Sequence, residues 1–155
     1  MTGTIDRRLS ELGIVLPQPP APVASYVPYV TSGNLVFISG QIPLENGQVR
    51  YVGTIGKELS LEDGKAAARV CAINLIAQLK AACGGDLERV RRCVRLGVFV
   101  NAAPGFGQQP EVANGASDLM LDVFGDDGRH SRAAVGAGSL PRNVAVEVEA
   151  VFEIA

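Results

Sequence analysis

The last thirteen residues, NVAVEVEAVFEIA, constrain the fold of this chain more than any other stretch. Val144, Val146, Val148, Ala150, Phe152 and Ile154 take one parity, and Ala145, Glu147, Glu149, Val151 and Glu153 the other. Alternation of this kind is a strand with one buried face, and such a strand must lie in a sheet covered by something apolar. Its second face carries three carboxylates. What answers them, and whether Arg132 at the head of the preceding SRAAVGAG segment is involved, is the question the sequence poses.

The rest of the chain supplies the cover. Ser60-Leu61-Glu62-Asp63 has the pattern of a capping box and opens a helix predicted to run through Cys83, where Gly84-Gly85 stops it. Ala67, Cys71, Asn74 or Leu75, Ile76 and Leu79 give that helix an apolar stripe. A second helix is predicted from Pro110, with Val112, Ala116, Leu119, Met120 and Val123 on one side, ending at Gly125-Asp126-Asp127-Gly128. SYVPYVTSGNLVFISGQIP reads as two extended runs about a Ser32-Gly33-Asn34 turn. Glu45-Asn46-Gly47 is a further turn into a short strand, QVRYVGTIG, and ERVRRCVRLGVFVN ends in a strand near Asn101. Ile5, Leu9 and Leu12 predict a short N-terminal helix stopped by Gly13, followed by PQPPAP as an extended connector. The order ββ(β)αβαββ predicts an α+β domain over 1–155 with both helices on one face of the sheet. The other face then calls for burial against further copies.

Composition narrows the partners. With 155 residues, 47% apolar and 19% charged, and a net charge of −2, the chain suits one globular core and attracts neither nucleic acid nor an anionic membrane by its field. No signal peptide or membrane-spanning run is visible, and Cys71, Cys83 and Cys93 sit among apolar neighbours without CxxC spacing. A reduced, cytoplasmic protein with buried thiols is the expectation. His130 is the only histidine, so no histidine cluster for a metal and no serine–histidine–aspartate triad with a spare shuttle is available. GAG at 136–138 and PGFG at 104–107 lack the following helix of a phosphate loop. Arg89, Arg91, Arg92 and Arg95 form a basic run with no interleaved aromatic residue for base stacking, which reads as a solvated edge.

Ser139-Leu140-Pro141-Arg142-Asn143 reads as a hairpin loop. Folding 131–138 back on 144–154 about it would set Arg132 roughly opposite residues 149–150 and Ala134 opposite Glu147. Arg132, Ala134, Gly136 and Gly138 share a parity and are small except for the arginine, which leaves a floor on which a ligand could sit. A guanidinium fork suits a carboxylate held bidentately. Spacing alone favours a plain ion pair between Arg132 and Glu147 or Glu149 over a ligand clamp, because surface pairs are common and contribute little.

SRAAVGAGSLPRNVAVEVEA resembles the signature of the RidA/YjgF family of reactive enamine/imine deaminases, and SYVPYVTSGNLVFISGQIP resembles that family's N-terminal hairpin with its Ser-Gly-Gln-Ile-Pro. The long helix, the VFVN strand and the second helix follow in family order, so the resemblance spans nearly the whole chain. It implies a chorismate-mutase-like fold, a homotrimer with sites in the clefts between subunits, and hydrolysis of 2-imino acids such as 2-iminopropanoate without metal or organic cofactor. On that resemblance Arg132 holds the substrate carboxylate and Glu147 orients the attacking water. Tyr26 lines the cleft, Ser39 and Gly40 present backbone to it, and Asn114 joins from the second helix. Ala134 stands where the best-studied members carry cysteine. That difference, with His130, PQPPAP and the Gly-Asp-Asp-Gly turn, marks a divergent subgroup. Two other classes compete: a trimer that binds a small carboxylate without turnover, and an RNA-acting protein, since some members are described as ribonucleases or translation inhibitors.

Overall fold

The computed structural model describes residues 3–19 and 24–155. In chain order the elements are α1 (Thr4–Glu11), β1 (Tyr29–Ser32), β2 (Leu35–Gln41), β3 (Leu44–Glu45), β4 (Gln48–Val49), α2 (Leu61–Ala82), β5 (Val90–Asn101), α3 (Gln109–Phe124), β6 (Ser131–Ala137) and β7 (Val146–Ile154). Local chemistry sets most of these bounds. Asp63 N–H donates to Ser60 Oγ and Ser60 N–H to the Asp63 carboxylate, so the predicted capping box starts α2. Gly84 and Gly85, at φ 65° and 93°, end it. Pro110 lies in the first turn of α3, where its missing N–H costs nothing. Of the connector PQPPAP, residues 20–22 lie outside the described residues.

A five-stranded sheet has the order β1-β2-β7-β5-β6, and β3 and β4 form a separate two-residue ribbon. β7 pairs antiparallel with β2 on one side and with β5 on the other. α2 packs on β7 and β2, α3 on β5 and β6, and the two helices pack against each other on the same face of the sheet. They approach closely at Gly115, where a Cβ would lie 2.0 Å from the Lys65 carbonyl oxygen, so only glycine fits. Phe152, Leu75, Ile76, Leu79, Leu96 and Met120 are fully buried between the layers, and Cys71, Cys83 and Cys93 are buried with them as expected. Among the described residues no helix is long and apolar enough to cross a membrane.

Two expectations are corrected. The 131–138 and 144–154 segments do not form a hairpin: β6 is an edge strand running parallel to β5, with Leu96 level with Arg132 and Val98 with Ala134. Both edges of β7 are already occupied by β2 and β5. The intervening loop also turns too far for a hairpin, with a 3-10 turn at Pro141–Asn143 and Arg142 and Asn143 both at φ 56°. The run QVRYVGTIG is likewise not one strand. It is strand only at Gln48–Val49, and then makes isolated bridges from Val52 to Val144 and from Ile55 to Leu59 and Ala102.

Register fixes which side chains face away from the helices. Phe37 is level with Val151, Gly97 with Glu149, and Phe99 with both Glu147 and Val135. This outer face therefore carries the acids of β7 among apolar groups, and Phe37 (45%), Val30 (53%) and Val135 (47%) remain exposed on it.

Candidate functional site

Arg132 opens β6 on the helix side of the sheet, level with buried Leu96. Its Nη1 donates to Asn114 Oδ1 at 2.8 Å and to Ser117 Oγ at 3.1 Å. Asn114 and Ser117 are three residues apart on α3, hence on one face of that helix. Both Nη1 protons are thereby used, and no partner for Nε or Nη2 occurs among the described residues. Those two nitrogens form the side-on fork that can donate to both oxygens of one carboxylate. Ser117, Leu121, Arg129, His130 and Arg132 line an open depression of about 240 Å³ beside this group. Ala134 is the next residue on the same side of β6, half-buried and packed against the core.

Glu147 lies on the other side of the sheet. It is half-buried on β7, over Gly40 of β2, where a Cβ would come within 2.5 Å of its Oε2. Pairing of β2 with β7 shifts register between Ile38 and Gln41, and this irregularity makes the room that Gly40 keeps open. Burial first, and the nearby charge of Glu149 second, raise the Glu147 carboxyl above its ordinary value. Ser39 Oγ donates to the Val27 carbonyl at 2.8 Å and Ser39 N–H to the Pro28 carbonyl, tying the segment that bears Tyr26 to β2. Tyr26 itself is 62% exposed.

The predicted residues thus fall into two sets, Arg132, Asn114 and Ala134 on the helix side at the β6 edge, and Glu147, Gly40, Ser39 and Tyr26 toward the outer face. Within one chain the sets do not meet. Strands β6 and β7 are separated by β5, about 10 Å apart at ordinary strand spacing. The expected closeness of Arg132 to Glu149 is corrected by the same topology. Glu149 is paired instead with Arg95, at 3.6 Å, over Gly97.

Sequence reasoning missed Ser117 altogether, and gave His130 no task. The signal for Ser117 was its three-residue offset from Asn114. His130 Nδ1 lies 2.6 Å from the Gly128 carbonyl, and its Nε2 lies 2.8 Å from Ser117 Oγ. The cysteines offer no nucleophile: burial pushes the Cys93 thiol up to about 12 and Cys71 well above its ordinary value. The arginine run is largely spent on the protein itself. Arg89 Nε donates to the Ala155 carbonyl, Arg92 Nη2 to the Arg129 carbonyl, and Arg95 pairs with Glu149. Among the described residues no cluster of histidine, cysteine, aspartate and glutamate has metal-binding geometry.

The fold matches known proteins. The family model described as "YjgF/chorismate mutase-like, putative endoribonuclease" matches residues 6–154. Protein TCP17 of Trypanosoma cruzi is 48% identical over 154 residues, covering 99% of this chain and 96% of that protein. The crystal structure of protein Atu1372 from Agrobacterium tumefaciens is similar at a TM-score of 0.92 and 47% identity, covering 97% of this chain and 92% of that one. A structure from Shewanella oneidensis MR-1 gives a TM-score of 0.94 at 36% identity, covering 98% and 100%. The chain belongs to the RidA/YjgF family.

Proposed function

We propose that the protein hydrolyses short 2-imino acids, such as 2-iminopropanoate, to the 2-oxo acid and ammonia, in clefts between the subunits of a homotrimer. The observation that carries this reading is the placement of Arg132 and Glu147 on opposite sides of one sheet. A site that uses both must take Arg132 from the β6 edge of one copy and Glu147 from the outer face of the next. The exposed Phe37, Val30 and Val135 support an assembly across that outer face.

In such a cleft the Nε/Nη2 edge of Arg132 receives the substrate carboxylate and fixes the imine carbon. That carbon is already electrophilic, so the chemistry asks for little beyond position and a base. Glu147 takes a proton from water as the water oxygen bonds to the imine carbon, which gives a carbinolamine. It returns that proton to the nitrogen, which makes the carbinolamine neutral. It then takes the hydroxyl proton and passes it to the amine, so that the carbon–nitrogen bond breaks, its electron pair leaves with ammonia, and the carbonyl forms. A carboxyl raised by burial and by Glu149 is better matched to both proton transfers than an ordinary one. Ala134 offers backbone beside Arg132, a role that does not need a thiol.

Two measurements test this reading. Ammonia release from freshly generated 2-iminopropanoate should rise with protein concentration, and light scattering should return three copies per particle. Binding of pyruvate without turnover would favour the carboxylate-binding alternative. Salt-dependent RNA binding would favour the nucleic-acid one.

A further inference from the structure

His130 and Ser117 lie outside the residues so far given a task, yet with a neutral imidazole the bonds they make have one consistent direction. The Gly128 carbonyl can only accept, so the proton between it and His130 sits on Nδ1. In the neutral ring Nε2 is then an acceptor, and Ser117 Oγ–H donates to it over 2.8 Å. With its proton so directed, Ser117 Oγ turns a lone pair to Arg132 Nη1 at 3.1 Å. A serine in mid-helix ordinarily turns its hydroxyl to the carbonyl four residues back, and here His130 draws it outward. The start of the chain is fixed by packing: Gly128 is buried, and a Cβ there would lie 2.2 Å from the Met120 carbonyl oxygen, so its backbone sits directly on α3. Asn114 Oδ1 takes the second Nη1 proton at 2.8 Å.

We propose that His130 and Ser117 are positioning residues that lock Nη1 of Arg132 to α3, through the chain Gly128 carbonyl, His130, Ser117, so that only the Nε/Nη2 edge is offered to a substrate carboxylate. This rests on Arg132 being the carboxylate holder. A metal-ligating histidine is oriented in the same way by its outer hydrogen bond, with the roles here extended by one hydroxyl. The lock acts on binding, so its loss appears in KM and not in kcat.

Because His130 is the only histidine, its imidazole nitrogens give unambiguous NMR signals. At about pH 8, above the ordinary imidazole range, wild-type protein should show the Nδ1–H tautomer, and titration with pyruvate should shift the Nε2 resonance. Ser117→Ala should move Nε2 to the position of a nitrogen without a donor and weaken pyruvate binding about 10-fold, the value of one hydrogen bond to a charged group. His130→Ala should weaken it by a similar factor, and His130→Gln, which keeps an acceptor for the serine, should restore most of it. The double variant His130→Ala/Ser117→Ala should lose no more than Ser117→Ala alone. An Nε2–H tautomer, an Nε2 signal indifferent to Ser117→Ala, or additive losses would overturn the proposal. Pyruvate binding with these couplings but without imine turnover would overturn the proposed reaction and leave the lock standing. Turnover with additive losses would do the reverse, and failure to bind pyruvate would overturn both.

Discussion

Gly40→Ala isolates the contribution of carboxylate position. A Cβ on Gly40 would lie 2.5 Å from Glu147 Oε2 and 3.0 Å from its Cδ, whereas ordinary contact begins near 3.4 Å. The carboxylate must therefore retreat by about 0.9 Å, and a displacement near 1 Å at a reacting group can cost about 100-fold in rate. Folding should not suffer. The obstructing atom is the end of a flexible side chain, and Gly40 is exposed and has no left-handed φ to maintain. Replacing a glycine in a conformation that alanine tolerates gains about 0.4–1 kcal/mol from the unfolded chain. The melting temperature should thus stay level or rise, by at most about 2–4 °C for a chain of this size.

The assay is steady-state ammonia release from 2-iminopropanoate, with a thermal melt on the same sample. A kcat within about twofold of wild type would refute the placement of Glu147 as the base. The new methyl could instead obstruct substrate, and a double-mutant cycle separates the two causes. If Gly40→Ala acts through Glu147, it should add almost nothing in a Glu147→Gln background. A full further loss there would assign the effect to obstruction.

Arg132→Lys should raise KM strongly and leave the melting temperature and assembly unchanged, because lysine keeps the charge and loses the fork; kinetics equal to wild type would demote Arg132 to general electrostatics. Glu147→Gln should lower kcat and raise thermal stability at neutral pH. A raised carboxyl penalises the fold where it is ionised, so the penalty is absent below the ordinary carboxylate range and grows as pH rises through the raised value. Half-exposure keeps the gain under about 1 kcal/mol, and it should vanish near pH 4 in melts run across that range. Glu149→Gln should have a milder effect on turnover than Glu147→Gln, since Glu149 is paired with Arg95 and not with Arg132; equal loss from the two would exchange their roles. Light scattering that returned a monomer at micromolar concentration would remove the shared cleft altogether.

Much of the fold was legible because local rules and burial agreed. The capping box at Ser60, the glycines at 84–85, Pro110, and the alternation of 144–154 each set an element where it was expected. Strand pairing was not legible. Nothing local in SLPRN distinguishes a tight hairpin from a loop with Arg142 and Asn143 in the left-handed region that carries the chain from an edge strand to the middle of the sheet. Gly40 was legible as backbone at the cleft and Gly128 as part of a helix-ending turn, but what these, Gly97 and Gly115 must let approach, a carboxylate or another backbone, depends on packing between distant segments.

The site turned on one residue of register. Placing Arg132 opposite "149–150" left open which face of the sheet it shares, because neighbouring residues of a strand point to opposite sides. The structure sets it level with Leu96, and Leu96 is level with Ala150, so Arg132 faces the helices while Glu147 and Glu149 face away. The separation has a chemical consequence. An arginine and a glutamate in reach of each other on one face would pair, and the fork would be spent before any substrate arrived. On opposite faces neither can neutralise the other within the chain: Nη1 is held by Asn114 and Ser117, and Glu147 keeps a raised carboxyl beside Glu149. In the proposed trimer the two groups approach only across a boundary between copies, with substrate between them. Among the described residues of one chain no anion reaches the free edge of Arg132, which leaves it able to take a substrate carboxylate.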